Sequence, residues 1–325
     1  MLTQQIATLI ERIAQAGQPP MHTLTAQAAR AFYEKAGTIL AGPTPALLET
    51  RHLEIPNRDG HRMHATLWVP SVAARGVLLY FHGGGFTIGS PATHAGLCQQ
   101  LAVQANCAVL SVDYRLAPEH PFPAAVHDAF DALDWLQAHH HTLAPRLGLI
   151  SDLHAVGGDS AGGCLAAVVS LHQRDARRAS ATAPVPCFQL LIYPVTDCRL
   201  GHPSHQENKD GPFLTHAGMK WFVEHYLSGN QGTATDPRVS PLLDTDEVLA
   251  AAPPAFVITA EFDPLRDEGE AYAKRLSSLG VAVSHVRWSS QFHGFVSLAD
   301  FLDDGKAALA ASAAALRSAF TPVLQ

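Results

Sequence analysis

Short, continuous apolar runs alternate along this chain with longer stretches whose apolar positions recur every three or four residues. The runs Gly76–Phe81, Ala108–Val112, His154–Gly157, Phe188–Tyr193, Ala255–Ala260 and Val281–Trp288 predict strands, and Gly76–Phe81 reads as a central strand buried on both faces. Between them the helical spacing predicts helices over Thr93–Gln104, Ala124–Ala138, Ala161–Arg174 and Arg266–Leu279, with an Ala-rich final helix from about Ser297. Such alternation implies a mostly parallel sheet with helices on both faces, an α/β fold. Ahead of it, Arg51–Pro56 and Met63–Pro70 flank the turn signal Asn57-Arg58-Asp59-Gly60 and predict an antiparallel pair.

The alternation fails in two places. Near the N-terminus, Leu2, Ile6, Leu9, Ile10 and Ile13 recur at helical spacing until Gly17 and Pro19-Pro20, and a second helical pattern covers Ala26–Lys35. Between Pro194 and Pro241 the chain turns polar and rich in Gly and Pro, with one helix predicted over Thr215–Leu227. Both segments are expected to pack over the main domain instead of joining its sheet.

Composition narrows the function classes. The 325 residues are 47% hydrophobic and only 16% charged, which suits a chain with much buried surface. A net charge of -7 without any basic block argues against nucleic acid as a partner. The first helical pattern has no basic face, and no apolar run approaches the length of a membrane span, so no membrane association is expected. Five scattered cysteines without C-x-x-C spacing read as buried thiols in a reducing compartment. With no secretory signal visible, a cytoplasmic location is expected.

The chemistry centres on Gly157-Gly158-Asp159-Ser160-Ala161-Gly162-Gly163, which lies between a predicted strand and a predicted helix. In that context G-x-S-x-G presents its serine at the tip of a sharp turn, where only small neighbours let the chains pass. Acyl transfer at Ser160 needs a base, a group that orients the base, and an oxyanion hole. Among 19 histidines, His293 lies just beyond the last predicted strand, at the carboxyl edge where open α/β sheets hold their sites. Asp263 follows the strand Ala255–Ala260 at the same edge. It also suits a helix N-cap with Pro264 at N1, and the two roles can coexist. Asp267 falls in the first turn of the next helix and suits its dipole. Asp113 precedes the serine, against the order serine, acid, histidine. After strand Gly76–Phe81, His82 is followed by three glycines, and the N–H groups of Gly83, Gly84 and Ala161 are the expected oxyanion donors. His82 reads as a structural histidine holding that loop. The run His139–His141 sits at a predicted helix end without H-E-x-x-H spacing or a nearby carboxylate, so no metal site is expected there.

Together His82-Gly83-Gly84-Gly85, the Ser160 motif, Asp263-Pro264-Leu265-Arg266-Asp267-Glu268-Gly269 and Phe292-His293-Gly294-Phe295 resemble the hormone-sensitive-lipase-like esterases, bacterial family IV. The stretch Tyr114–Ala125 also resembles a loop of that family, and the likeness runs from roughly Val77 to Phe295 in order. The resemblance implies an α/β-hydrolase fold with a mostly parallel eight-stranded sheet. It also implies a helical cap, built from residues 1–45 and an insertion at 197–240 in a catalytic domain of 46–325. A serine carboxylesterase with the triad Ser160, Asp263 and His293 follows, needing no cofactor and acting on a small-molecule ester. A homodimer is compatible with it. An amidase of arylacetamide type would use the same triad, and a non-catalytic receptor on this fold would lack a triad member.

The aromatic residues beside the site suggest a roof. Phe86 adjoins the oxyanion loop, Phe213 and Leu214 open the predicted cap helix, and Phe222 shares a face of it with Tyr226 at i, i+4. Cap packing alone also explains them. As a roof of limited depth they imply short- to medium-chain esters, roughly two to eight carbons, with about 0.8 kcal/mol per buried methylene until the pocket is full.

Overall fold

A computed structural model of the chain describes residues 19–39, 42–71, 73–147, 153–179 and 185–321, together with Gln5, Ile6, Thr8 and Glu11. Eight strands form one sheet in the order β1-β2-β4-β3-β5-β6-β7-β8. They are β1 (Glu49–Pro56), β2 (Arg62–Val69), β3 (Val77–Phe81), β4 (Ala108–Val112), β5 (His154–Asp159), β6 (Gln189–Ile192), β7 (Ala255–Phe262) and β8 (Val283–Phe292). β2 runs antiparallel to β1 and β4, and every other pairing is parallel.

Alternation along the central strands explains the layers. In β3, Val77, Leu79 and Phe81 enter one buried cluster while Leu78 and Tyr80 enter the other. The first cluster is covered by α3 (Ala124–Leu147), α4 (Ala161–Ala179) and α8 (Arg266–Ser278). The second is covered by α2 (Ala95–Ala105) and α9 (Asp303–Ala319). Every residue of β3 and β4 is buried, and each fully buried Leu or Val contributes about 1.5–3 kcal/mol relative to exposure. The remaining helices are α1 (Ala26–Ile39), α5 (Pro203–Glu207), α6 (His216–Tyr226) and α7 (Asp246–Leu249). A 3₁₀ turn at Met21–Thr23 packs against α6, so the N-terminal segment and the segment after β6 meet.

Several expectations change. The predicted N-terminal helix falls largely outside the described residues, although Gln5, Ile6, Thr8 and Glu11 are helical. The polar segment after Pro194 holds two helices instead of one, because Pro203 starts the short α5 where its missing N–H costs nothing. The last helix begins at Asp303, not near Ser297, after a separate 3₁₀ turn at Phe295–Leu298. α3 runs on to Leu147, which places His139–His141 inside a helix and not at its end. β8 continues to Phe292, four residues past Trp288, so His293 leaves the strand directly.

No helix among the described residues is long and apolar enough to cross a membrane. The parallel strands deliver their carboxyl ends to one edge of the sheet. There β3 leads into the triglycine, β5 into Ser160, β7 into Asp263 and β8 into His293.

Candidate active site

Ser160 sits between β5 and α4 with φ +54°, a left-handed conformation that a side chain disfavours. The strain is held from both sides. Its N–H donates to the Ile192 carbonyl at 2.9 Å, and its carbonyl accepts from Cys164 N at 3.1 Å and Val195 N at 3.0 Å. The glycines around it have a measurable purpose. A Cβ at Gly158 would lie 2.4 Å from the Gly162 backbone, and one at Gly162 would lie 1.9 Å from the Phe81 carbonyl oxygen. Strand β3, the elbow and the start of α4 therefore touch backbone to backbone.

The other two members reach the serine as the motif order predicts. His293 Nε2 lies 3.0 Å from Ser160 Oγ, and His293 Nδ1 lies 2.8 Å from Asp263 Oδ2. A carboxylate only accepts, so Nδ1 carries the proton and Nε2 is left to accept from the serine hydroxyl. Asp263 is fully buried, and its Oδ1 accepts from Leu265 N at 2.8 Å. It does not cap the helix as the sequence suggested, since α8 starts at Arg266 with Leu265 at the N-cap. The carboxylate closes a tight turn ahead of the helix instead, which locks its orientation. Asn208 Nδ2 adds a bond to the Asp263 carbonyl at 3.2 Å. Asp267 points elsewhere: Oδ2 accepts from Ser204 N at 2.8 Å at the start of α5, and Oδ1 accepts from Arg266 Nε at 2.8 Å. Asp113 lies exposed at the end of β4.

The oxyanion loop corrects one sequence assignment. Gly83 N is not free to meet a substrate, because it donates to Asp159 Oδ1 at 3.0 Å. Among the described residues no acceptor meets the N–H of Gly84 or Gly85, and Ala161 N, the first residue of α4, lacks an intrahelical acceptor. Each of these three amides is fixed through the carbonyl of its own peptide plane. The Gly83 carbonyl accepts from His82 Nδ1 at 2.8 Å, which turns Gly84 N–H the opposite way. The Gly84 carbonyl accepts from Thr87 N at 3.0 Å and Ile88 N at 2.9 Å, which does the same for Gly85 N–H. The doubly bonded Ser160 carbonyl orients Ala161 N–H.

His82 is the structural histidine the sequence suggested. Its ring stacks on Tyr114 with centroids 4.3 Å apart, and burial, followed by the nearby His94, lowers its pKa to about 3. Neutral imidazole with its proton on Nδ1 is the form that the Gly83 carbonyl requires.

Sequence reasoning missed the buried charge behind the loop. Asp159 accepts from Tyr80 Oη at 2.7 Å as well as from Gly83 N, and its Oδ2 lies 3.3 Å from His94 Nε2. Thr93 Oγ1 donates to the Ser90 carbonyl, so in its 2.9 Å contact with His94 Nδ1 the ring is the donor. Both His94 nitrogens then carry protons. Burial pushes the Asp159 carboxyl up, but His94 and Tyr80 outweigh it and hold the group below its usual range. Burial pushes His94 down, and Asp159 outweighs that and raises it. Nothing in the sequence spacing announces Tyr80 or His94, while the Asp inside the elbow motif was the available signal.

The residues expected to form a roof differ in their surroundings. Phe86, at φ +60°, is buried and stacks on Tyr226 with centroids 3.8 Å apart. Phe222 is buried over the oxyanion loop, where a Cβ on Gly85 would lie 2.2 Å from its ring. Leu214 is buried. Phe213 is 49% exposed and stacks at 4.7 Å on Phe292, next to His293. Of the histidine run, His139 Nδ1 bonds to the Trp135 carbonyl at 2.8 Å, and the side chains of residues 140 and 141 lie outside the described residues.

The family profile described as alpha/beta hydrolase fold matches residues 78–297. The carboxylic ester hydrolase LipN of Mycobacterium tuberculosis is 43% identical over 260 residues, 79% of this chain and 67% of that protein. An ethyl acetate hydrolase of Pseudomonas putida is 37% identical over 301 residues, 91% of each chain. Among solved structures, a hyperthermophilic esterase from the archaeon Pyrobaculum calidifontis superposes with a TM-score of 0.88 at 38% identity, covering 98% of this chain and 99% of that one. A thermostable carboxylesterase cloned from a metagenomic library gives 0.83 at 40% identity, covering 92% and 99%.

Gly162→Ala tests the backbone contact at the elbow. The added methyl meets carbonyl oxygens that cannot rotate away, so unfolding stability should fall by about 2–3 kcal/mol in a denaturant titration. An unchanged midpoint would mean that β3 and α4 are not held at this spacing.

Proposed function

The chain belongs to the alpha/beta hydrolase fold family, on its hormone-sensitive-lipase-like branch, and is a carboxylic ester hydrolase; from that premise we propose which residues carry the reaction and which esters enter. Ser160 is the nucleophile, His293 the base and Asp263 the group that orients it. The observation carrying this is the unbroken chain from Asp263 Oδ2 through His293 to Ser160 Oγ, at 2.8 and 3.0 Å. Ser160 Oγ attacks the ester carbonyl and passes its proton to His293 Nε2. The carbonyl oxygen becomes an oxyanion that receives the N–H groups of Gly84, Gly85 and Ala161. Collapse breaks the bond to the alkoxy oxygen, which takes the proton from His293 and leaves as the alcohol. Water then loses a proton to His293 and attacks the acyl-enzyme; its collapse returns the proton to Ser160 Oγ and frees the acid.

Ser160→Ala should abolish hydrolysis of p-nitrophenyl butyrate and prevent labelling by an aryl phosphonate. Retained turnover would remove Ser160 from the mechanism. Asp263→Asn should lower kcat by about ten-thousandfold, since the amide oxygen stays with Leu265 N and the NH2 then faces Nδ1, which favours the wrong tautomer. Asp267→Asn disturbs a bond to α5 and should cost less than tenfold, about 1.4 kcal/mol. The reverse ranking would identify Asp267 as the acid.

We also propose that residues 1–45 and 197–240 form a helical cap over a catalytic domain of residues 46–325. The contact between the Met21–Thr23 turn and α6 supports a single roof made of both segments. Phe86, Phe213, Leu214 and Phe222 line its underside, and the substrates are short- to medium-chain esters. Across p-nitrophenyl esters, kcat/KM should rise with acyl length by about 0.8 kcal/mol per methylene and then fall beyond roughly eight carbons. Phe222→Ala should move that optimum to longer chains. A climb continuing to sixteen carbons in the unaltered protein would mean that the roof does not close.

The five cysteines are all free, which supports the cytoplasm as the compartment. A second copy of the chain is the protein partner that the exposed edge strand β8 suits, since only β7 pairs with it.

A further inference from the structure

Helix α1 packs against the stretch that leads from the oxyanion loop to α2. Gly37 faces Thr93, where an added Cβ would lie 3.6 Å away, and the Tyr33 ring lies 6.3 Å from His94. Between them and the start of the helix, Arg30 grips backbone. Its Nε donates to the Thr87 carbonyl at 2.7 Å, and Nη2 donates to the Ala117 carbonyl at 2.7 Å. Glu119 takes the outer donors, Nη1 at 3.0 Å and Nη2 at 2.5 Å. Ala117 N in turn donates to the Phe86 carbonyl at 2.8 Å, so the loop after β4 is tied to the same triglycine turn.

The Thr87 carbonyl shares its peptide plane with Ile88 N–H, and Ile88 N–H donates to the Gly84 carbonyl. The Gly84 carbonyl shares its plane with Gly85 N–H. Two rigid planes therefore connect the guanidinium to an oxyanion donor. A charge-assisted bond at one end of such a chain polarises each member, so it strengthens the donor as well as aiming it.

We infer that Arg30 is a positioning residue of the oxyanion hole, and that through it the N-terminal helix helps to set the rate of the chemical step. This rests on the reading of Gly85 N–H as an oxyanion donor. Glu119 completes the fork but lies outside the chain of peptide planes. Its side chain is 43% exposed against 23% for Arg30, which makes the ion pair itself a weak contributor.

A butyl trifluoromethyl ketone, whose adduct with Ser160 places a negative oxygen in the hole, is compared with p-nitrophenyl butyrate. The unaltered enzyme should bind the ketone at least about a hundredfold more tightly than the KM for the ester. Failure there would overturn the oxyanion reading, and this inference with it. Removing a donor outright lowers kcat by about a hundredfold or more; Arg30→Ala loosens one, so kcat should fall about tenfold. KM should stay within about twofold, and the ketone Ki should rise by the same tenfold. Arg30→Lys keeps the charge but reaches one carbonyl only, and should fall about threefold in kcat and in ketone affinity alike. If Arg30→Ala does not fold, the lysine variant makes the same comparison. Glu119→Gln should keep kcat within about twofold. With tight ketone binding in the unaltered enzyme, two results would overturn the role of Arg30. One is a lowered melting midpoint in the Arg30 variants with kcat and Ki unchanged. The other is a Glu119→Gln loss as large as that of Arg30→Ala.

Discussion

The close approach of β3 to the elbow is the constraint on which the rest of this molecule depends. With the Phe81 carbonyl only 1.9 Å from where a Cβ of Gly162 would stand, strand, serine turn and helix start form one backbone unit. Ser160 is forced to φ +54° within it, and the surrounding carbonyl and amide bonds hold it there. The same closeness brings the triglycine loop, which continues β3, alongside the first free amide of α4. A nucleophile and an oxyanion site thus arise from one packing event.

In such a site backbone planes carry direction to each amide. Each of the amides at Gly84, Gly85 and Ala161 is oriented because the carbonyl of its own plane is already bonded. The arrangement has an electrostatic cost, since Asp159 holds the loop with a buried negative charge beside the place where an oxyanion forms. An isolated carboxylate there would oppose the reaction. His94, protonated at both nitrogens, pairs with it and leaves a neutral unit that keeps the hydrogen bonds without the repulsion.

What the sequence revealed and what it hid divide along physical lines. The sheet, the elbow and the order of Ser160, Asp263 and His293 were legible, because apolar runs, small residues at a forced turn and strand ends leave local marks. The amides free to serve as the proposed donors lie one glycine further along than the sequence placed them. Which amide of a triglycine is free depends on Asp159, 76 residues away, and no local pattern reports that contact. Tyr80, His94 and Arg30 were invisible for the same reason: their partners lie 79, 65 and 57 residues distant. Element ends also shifted. The start of the last helix was misplaced because the turn Phe295–Leu298 is apolar like the helix that follows, and periodicity alone cannot separate them.

Rate and substrate range are consequently built from different kinds of contact. At the sheet edge the elbow itself is backbone held by backbone, which leaves little room for larger residues there. The residues around its mouth are aromatic side chains on aromatic side chains, Phe86 on Tyr226 and Phe213 on Phe292, and such pairs tolerate repacking. Helix α1 breaks this separation. It lies in the N-terminal segment proposed as part of the cap, yet Arg30 bonds the Thr87 carbonyl next to the oxyanion loop and the Ala117 carbonyl of the loop after β4. A cover attached in that way cannot swing freely as a lid without loosening the donors beneath it. Variation in the acyl chains accepted is therefore expected from α6 and its flanks, while α1 stays fixed to the chemistry.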